Sequence, residues 1–161
     1  TAMTAEEIER LKAFRHALPE AINQRIGERA RTMPGLTKLG TDLAVPDAAL
    51  IPMMAAYRAA LDGAGLDYVL FGHIGNNHVH ANILPRSLEE YARGKALYLD
   101  LARQALAWGG TVAAEHGIGR LKKPMLALMF GEEGLAAMRA VKAVFDPDAL
   151  LNPGALFDAA T

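Results

Sequence analysis

The stretch at residues 71–83, FGHIGNNHVHANI, decides the fold that the sequence predicts. Its centre, GNN at residues 75–77, predicts a tight turn between two strands, because glycine and asparagine adopt positive φ at low cost. With the two asparagines as the loop, His73 faces His80 across a hairpin. Directly opposed side chains of antiparallel strands have Cβ atoms roughly 5 Å apart. Two imidazoles at that separation can bind one metal ion.

The residues on either side of this turn alternate between apolar and polar. The apolar face carries Leu70, Gly72, Ile74, Val79, Ala81 and Ile83, and the polar face carries Phe71, His73, His78, His80 and Asn82. The first face suits a hydrophobic core, and the second is directed at a ligand, another domain or solvent. A solvated hairpin is the alternative, but three histidines on one face favour a binding site.

The composition indicates a soluble globular protein with one core. Hydrophobic residues make up 52% and charged residues 22% of the 161 residues, which is ordinary for this class. The net charge of −1 gives no electrostatic reason to expect nucleic acid as a partner. The sequence has no apolar run that would span a bilayer and no signal-peptide pattern, so we expect a cytoplasmic location. Since cysteine is absent, metal ligands must be nitrogen or oxygen atoms.

Capping signals and hydrophobic periodicity predict an α+β domain over residues 1–161. The central order is strand, helix, strand, strand, helix, strand, which is the ferredoxin-like arrangement with additional helices at both termini. The histidine face of its antiparallel sheet would be the open one. The predicted elements are a helix from residue 4 towards 31, kinked or split by Pro19; a strand within 35–45; a helix capped by Asp47; the hairpin at 66–74 and 78–84; a helix from Ser87 to about 108; a short strand at 111–114; and a helix at 132–145.

A second polar segment follows the last predicted strand. Glu115 and His116 precede Gly117-Ile118-Gly119, whose glycines predict a tight bend. Glu115 completes a His, His, Glu ligand set that suits zinc, manganese or iron. His116 is then free to act as a general base, because an imidazole accepts protons near neutral pH.

Two points stay open for this segment. An exposed turn is the alternative interpretation of the Glu115-His116 pair. In ferredoxin-like order the first strand also separates the last strand from the hairpin, so Glu115 must reach the histidines from a loop or across Gly40 and Asp42. Lys122, which follows the glycines, is interpreted as part of a solvated basic turn.

Four stretches of the chain match one family in sequence order. They are FRHALPE at 14–20, GHIGNNHVHAN at 72–82, GGTVAAEHGIG at 109–119 and FDPDALLNPG at 145–154. With them the chain resembles the carboxy-terminal domain of FAD-linked oxidases and dehydrogenases. This family includes D-lactate, glycolate and D-2-hydroxyglutarate dehydrogenases and is related to vanillyl-alcohol oxidase. The resemblance implies oxidation of a CH–OH group, with hydride transfer from the α-carbon of a 2-hydroxy acid to FAD.

The resemblance also implies roles for single residues. His73, His80 and Glu115 match divalent-metal ligands, and His116 matches the base that removes the hydroxyl proton. Arg15 matches an arginine that binds the substrate carboxylate, a task suited to its bidentate fork.

Two asparagines match further positions of the family, and one histidine departs from its pattern. Asn82 matches a residue that contacts the substrate, and Asn152 lies where the family approaches the flavin. His78 stands where many members have asparagine, so its role is undetermined. Gly40 stands near where some members place a substrate-binding lysine, and Lys38 is out of phase with that position.

The resemblance implies partners as well. The flavin-binding domain that normally precedes this region has no counterpart in the sequence. We therefore interpret the chain as a fragment, or as a subunit that needs a flavin-binding partner and is inactive alone. An electron-acceptor protein or quinone would reoxidise the flavin, which would place the protein in the cytoplasm or at the membrane periphery.

Two other functions remain alternatives at this stage. The sequence HVHANILPR at residues 78–86 resembles the nucleophile motif of histidine-triad nucleotide hydrolases, although Asn82 occupies the place of an essential histidine. A non-catalytic module that binds a metal or a partner is the other alternative.

Overall fold

The computed structural model describes residues 3–158 as an α+β fold with a three-stranded antiparallel sheet. Among these residues no helix is long and apolar enough to cross a membrane. In chain order the elements are α1 (Ala5–Thr32), β1 (Leu39–Gly40), α2 (Leu50–Gly63), β2 (Tyr68–His73), β3 (His78–Ile83), α3 (Leu88–Ala107) and α4 (Lys123–Phe145), with 3₁₀ turns at Asp47–Ala49 and Ile74–Asn76.

The hairpin of β2 and β3 forms with the predicted faces but in a different register. His73 pairs with His78 and Phe71 pairs with His80, so the predicted pairing of His73 with His80 is wrong. The loop has four residues instead of two, and only Asn77 adopts the left-handed conformation, at φ 51°. A shift of two residues keeps every side chain on its face, because the strand period is two. Ile74, predicted in the apolar face, is exposed in the loop.

A tether to the neighbouring loop accounts for the longer turn. The side chain of Asn77 donates a hydrogen bond to Asp47, and its carbonyl accepts one from Val45. Asp47 therefore does not cap α2 as predicted; Pro46 precedes the 3₁₀ turn there, and no side chain caps it. These contacts join residues about thirty positions apart, which local turn preferences do not encode.

The sheet order is β1-β3-β2, with β3 in the centre. In place of the fourth predicted strand, the structure has one isolated β-bridge, between Thr111 and Ala44. Ala44 also forms a bridge with His78. The α+β class and the antiparallel sheet are thus confirmed, whereas the four-stranded ferredoxin-like sheet stays a prediction. Beyond the bridge, Ala114 donates its N–H to the carbonyl of Asp42, and the chain continues into a loop.

The core lies on the apolar face of the sheet, beneath α2 and α3. Its most buried members come from the strands, both helices and the bridge region: Leu43, Tyr57, Leu61, Ala81, Ile83, Leu101, Ala102, Ala105 and Val112. On the other face, the second half of α1 packs through Ile22 and Ile26 against Leu84. The histidine face, which was predicted to be open, is open at His73 and closed at His78 and Asn82, which are buried.

The terminal helices differ from the predictions in detail. The capping box of Thr4 and Glu7 opens α1 as expected, but Pro19 does not split the helix. The last helix begins at Lys123 rather than at residue 132, because the segment ahead of Gly131 is also helical; Gly131 itself interrupts it at φ 65°. Within residues 132–145, Leu135 is buried, whereas Val141 and Phe145 are exposed.

Candidate metal and substrate site

Three predicted ligands meet at the open face of the sheet. Glu115 Oε2 lies 3.3 Å from His73 Nε2, and Glu115 Oε1 lies 3.0 Å from His80 Nε2. One ligand atom from each residue falls within 4.8 Å of the others, which is close enough to share one ion. The register shift places His73 diagonally from His80, and the long imidazoles still converge.

The backbone beneath His80 fixes the orientation of its ring. The Nδ1 atom lies 2.6 Å from the carbonyl oxygen of Thr41, so Nδ1 carries the proton and donates it. Thr41 is itself held, because its hydroxyl accepts from the N–H of Ala81 and contacts the hydroxyl of Tyr57 at 3.0 Å. Nε2 is thereby left to face the cavity.

The contact between His80 and Glu115 tests whether these residues fit a cation. In neutral His80 with the proton on Nδ1, Nε2 is an acceptor, and so is the carboxylate of Glu115. Two acceptors at 3.0 Å need a shared proton or a shared cation. A nitrogen and oxygen donor set of this kind suits zinc, manganese or iron. The residues therefore fit a divalent metal.

Glu115 is ionised at neutral pH. Desolvation acts to raise the pKa of its carboxyl group, but a proton shared with His80 Nε2 and the charge of His73 outweigh it and hold the pKa below its ordinary value. At neutral pH the carboxylate of Glu115 is therefore an anion that can bind a cation.

His116 stands at the edge of this cluster. Its Nε2 lies 3.2 Å from Glu115 Oε1, and its ring centroid lies 5.4 Å from that of His80. The side chain is largely exposed, so it is accessible to a ligand that enters from the open face. This position is compatible with a base beside the ligand set.

A cavity of about 1100 Å³ joins the cluster to α1. Besides the three ligands and His116, its walls include Arg15 on α1 and Asn82 on β3. Asn82 is buried, and among the described residues its Nδ2 finds no acceptor. A buried donor without a partner costs free energy unless a ligand oxygen accepts from it. Gly40 leaves room for this amide, since a Cβ there would lie 3.3 Å from Asn82 Oδ1.

Asn152 is not brought to the cavity. It lies in the exposed loop after α4, with a left-handed backbone at φ 46°. The structure thus gathers six of the seven predicted site residues and leaves this one apart.

His78 is buried behind the ligand set and is not a member of it. Its ring centroid lies 4.3 Å from that of His80, and its Nε2 lies 3.1 Å from Asp42 Oδ1 without the angle of a hydrogen bond. Desolvation, together with the charge of His80, lowers the pKa of His78. A neutral imidazole there serves as a wall against which His80 packs.

Asp42 and Lys122 are the residues that the sequence did not identify. Asp42 is 1% exposed and accepts from the N–H groups of Glu115 at 3.2 Å and His116 at 3.0 Å. Lys122 donates to the same carboxylate at 2.7 Å, so its interpretation as a solvated residue is wrong. The signal in the sequence is a lone carboxylate inside TDLAV, an otherwise largely apolar segment.

A comparison with protein families gives this geometry a context. Residues 1–156 match the family model described as FAD linked oxidases, C-terminal domain. Because the match covers nearly the whole chain, the chain belongs to this family.

Individual relatives agree with the family match. The chain is 34% identical over 159 residues to glycolate oxidase subunit GlcD of Bacillus subtilis, which covers 98% of the chain and 32% of the relative. It is 38% identical over 128 residues to D-2-hydroxyglutarate dehydrogenase of Xanthomonas citri pv. viticola, covering 76% and 27%. It is 33% identical over 127 residues to a probable mitochondrial D-lactate dehydrogenase of Danio rerio, covering 78% and 26%.

These relatives are much longer than the chain, which spans about a third or less of their length. Their names describe oxidoreductases of three hydroxy acids, and none describes a nucleotide hydrolase. The comparison therefore supports the FAD-linked interpretation over the histidine-triad alternative.

Proposed function

We propose that this chain forms the substrate- and metal-binding part of an FAD-dependent dehydrogenase or oxidase that acts on a 2-hydroxy acid of the D-lactate or glycolate type. The observation that carries the proposal is the convergence of His73, His80 and Glu115 in one cavity with Arg15 and Asn82. The names of the relatives support a CH–OH donor, and the donor set supports a metal.

His73, His80 and Glu115 are proposed to hold zinc, manganese or iron. A divalent cation at these residues would supply positive charge that lowers the pKa of a nearby hydroxyl group. The chain contributes an ionised Glu115 and a His80 whose Nε2 faces the cavity, because the carbonyl of Thr41 accepts a hydrogen bond from Nδ1–H.

The remaining cavity residues are assigned to the substrate. Arg15 binds the carboxylate through its guanidinium fork, and the free Nδ2–H of Asn82 donates to a substrate oxygen. His116 is assigned to accept the hydroxyl proton at Nε2. The hydride of the α-carbon would pass to bound FAD, and the hydroxy acid would become a 2-oxo acid. One proton and one hydride leave the substrate, which balances the two-electron oxidation.

The proposal includes partners outside this chain. FAD would be bound mainly by another domain, in the same protein or in a partner subunit, and that domain would cover the open face of the sheet. Asn152 would contribute a contact from the loop after α4. An electron-acceptor protein or quinone would reoxidise FAD, in the cytoplasm or at the membrane periphery. The fold of the chain would be a ferredoxin-like antiparallel sheet with additional helices at both termini.

The test uses flavin-loaded protein that includes this chain. Anaerobic mixing with D-lactate, glycolate or D-2-hydroxyglutarate should bleach the flavin, and His116→Gln should slow that step by about 10²–10⁴-fold. The zinc affinity of His116→Gln should stay that of the unaltered protein, because His116 is not a ligand. Wild-type bleaching rates in this variant would contradict the base assignment. Metal binding without bleaching by any 2-hydroxy acid would support the non-catalytic module instead.

A further inference from the structure

The backbone of the segment that carries Glu115 is bound by Asp42, in the loop after β1. Three consecutive N–H groups bind Asp42: that of Ala114 donates to its carbonyl, and those of Glu115 and His116 donate to its carboxylate. The next residues, Gly117 and Gly119, have positive φ and continue as a loop. The anchoring of Glu115 and His116 therefore depends on where the Asp42 carboxylate lies.

The Asp42 carboxylate is itself fixed by donors from other parts of the chain. Lys122 donates to Oδ2 at 2.7 Å, and the N–H of Asp42 donates to the hydroxyl of Tyr98 at 3.1 Å. Both carboxylate oxygens are occupied by donors, and the side chain is almost fully buried. A buried carboxylate with three donors is held strongly in one orientation.

The same contacts decide between two roles for Asp42. One of its oxygens lies within 4.8 Å of nitrogen atoms of His80 and His116, so the distances permit direct ligation of a metal. Ligation would however replace hydrogen bonds from Lys122 and the backbone, which already satisfy the carboxylate. Positioning keeps every one of these bonds.

We propose that Asp42 is a positioning residue that holds the Glu115-His116 segment in its metal-binding conformation. The inference rests on the proposed function of His73, His80 and Glu115 as the ligand set. The charge of Asp42 matters as well as its shape, because all three donors need an acceptor and the side chain of an asparagine offers only one acceptor oxygen. Outer residues of this kind typically change metal affinity without touching the ion.

The chain contains a matched control for Asp42. Asp146, at the end of α4, is also buried and also accepts from two consecutive backbone N–H groups and one lysine, but it is not part of the cavity wall. Asp146→Asn removes the same kind of network from a different loop. Any general effect of losing such a carboxylate appears in both variants.

The experiment titrates this chain with Zn²⁺ alone, by calorimetry, at a temperature where circular dichroism shows each variant folded. Asp42→Asn should weaken zinc binding by about 10- to 100-fold and alter the visible spectrum of bound Co²⁺. Asp146→Asn should bind zinc within about twofold of the unaltered chain, as expected for a remote site. Equal zinc affinity and an unchanged Co²⁺ spectrum in folded Asp42→Asn would overturn the proposal.

A measurement without substitution covers the case in which Asp42→Asn does not fold. In the metal-free chain, the amide protons of Glu115 and His116 should exchange with solvent at least about tenfold more slowly than that of Gly117. Gly117 N–H has no acceptor within residues 3–158. Equal exchange at all three amides would overturn the proposal. Lack of zinc binding by the unaltered chain would instead contradict the ligand set, and the positioning role would fall with it.

Discussion

Asp42 and Asp146 hold two loops of this chain by the same chemistry and at very different distances along the sequence. Each carboxylate binds two consecutive backbone N–H groups and the ammonium group of one lysine. For Asp42 these donors belong to Glu115, His116 and Lys122. For Asp146 they belong to Leu150, Leu151 and Lys142. The partners of Asp146 lie four or five residues away, whereas those of Asp42 lie 73 to 80 residues away.

This difference separates two uses of a buried carboxylate. Asp146 closes the loop that ends α4, and its loss affects mainly that loop. Asp42 joins the loop after β1 to the segment with Glu115, and both belong to the cavity. We therefore expect changes around Asp42 to alter metal binding and stability together, and changes at local devices such as Asp146 to alter stability alone.

The largest expected effect is on metal binding in the cavity that contains Asp42 and Glu115. Glu115→Ala removes the ligand that touches both histidines and should lower zinc affinity by about 1000-fold, more than the loss of an outer partner costs. Glu89→Ala is the control, since Glu89 is an exposed glutamate on α3, away from the cavity. Calorimetric titration of both variants with Zn²⁺ checks this. Stoichiometric tight binding by Glu115→Ala would remove it from the ligand set.

The next effect is on stability and compares the two carboxylates directly. Asp42→Asn should lower the free energy of unfolding by about 3 kcal/mol, because it leaves buried donors and the Lys122 charge without a partner. Asp146→Asn should cost less, since its loop is nearer to solvent. Urea unfolding followed by circular dichroism measures both. A larger loss in Asp146→Asn would show that the long-range network is the weaker one.

Sequence reasoning recovered what is local or periodic in this molecule. The alternation along β2 and β3 predicted which residues share the histidine face, although not that His78 and Asn82 are buried there. The signal at Ser87 predicted the start of α3. The register was missed because Asn77 is tethered to Asp47, thirty residues away. The same limit hid Asp42, whose sequence neighbours give no sign of its partners.

The family resemblance extended this reach for individual residues. It assigned both Arg15 and Asn82 to the substrate, and both line one cavity, although they lie 67 positions apart and no spacing rule connects them. It did not account for His78 or Lys122, whose surroundings depend on how Asp42 is buried. Long-range polar contacts of this kind follow from tertiary packing and require coordinates.

A third effect is the pH dependence of stability. Desolvation acts to raise the pKa of Asp42, but the hydrogen bonds from Lys122 and from the N–H of His116 outweigh it, so the folded-state pKa lies below the ordinary value of 3.8. A lowered pKa means that ionised Asp42 stabilises the fold above pH 3.8, and this contribution is lost as the pH falls from there through the folded-state pKa.

Urea unfolding at a series of pH values tests this sign. The unaltered chain should lose stability on acidification more steeply than Asp42→Asn, which has no charge to lose at that position. Asp146 also has a lowered pKa, caused mainly by its hydrogen bond from Lys142, so part of the acid dependence should remain in the variant. Parallel curves for the two proteins would contradict the assignment to Asp42.

The smallest expected effect is that of removing the N-cap of α3. The Ser87 side chain accepts from the N–H of Glu90 at the start of α3, and Ser87→Ala should cost about 1 kcal/mol of unfolding free energy. Because this cap does not touch the cavity, zinc affinity should be unchanged. Urea unfolding and zinc titration of one preparation check both statements. A clear loss of zinc affinity in Ser87→Ala would contradict the statement that local contacts affect stability alone.

The central claim is that His73, His80 and Glu115 bind one divalent metal. Crystals of this chain grown with Zn²⁺ and measured at the zinc absorption edge test it most directly. The account predicts one anomalous peak about 2.0–2.2 Å from Nε2 of His73, Nε2 of His80 and a carboxylate oxygen of Glu115. A zinc peak bound elsewhere, with this cluster empty, would contradict it.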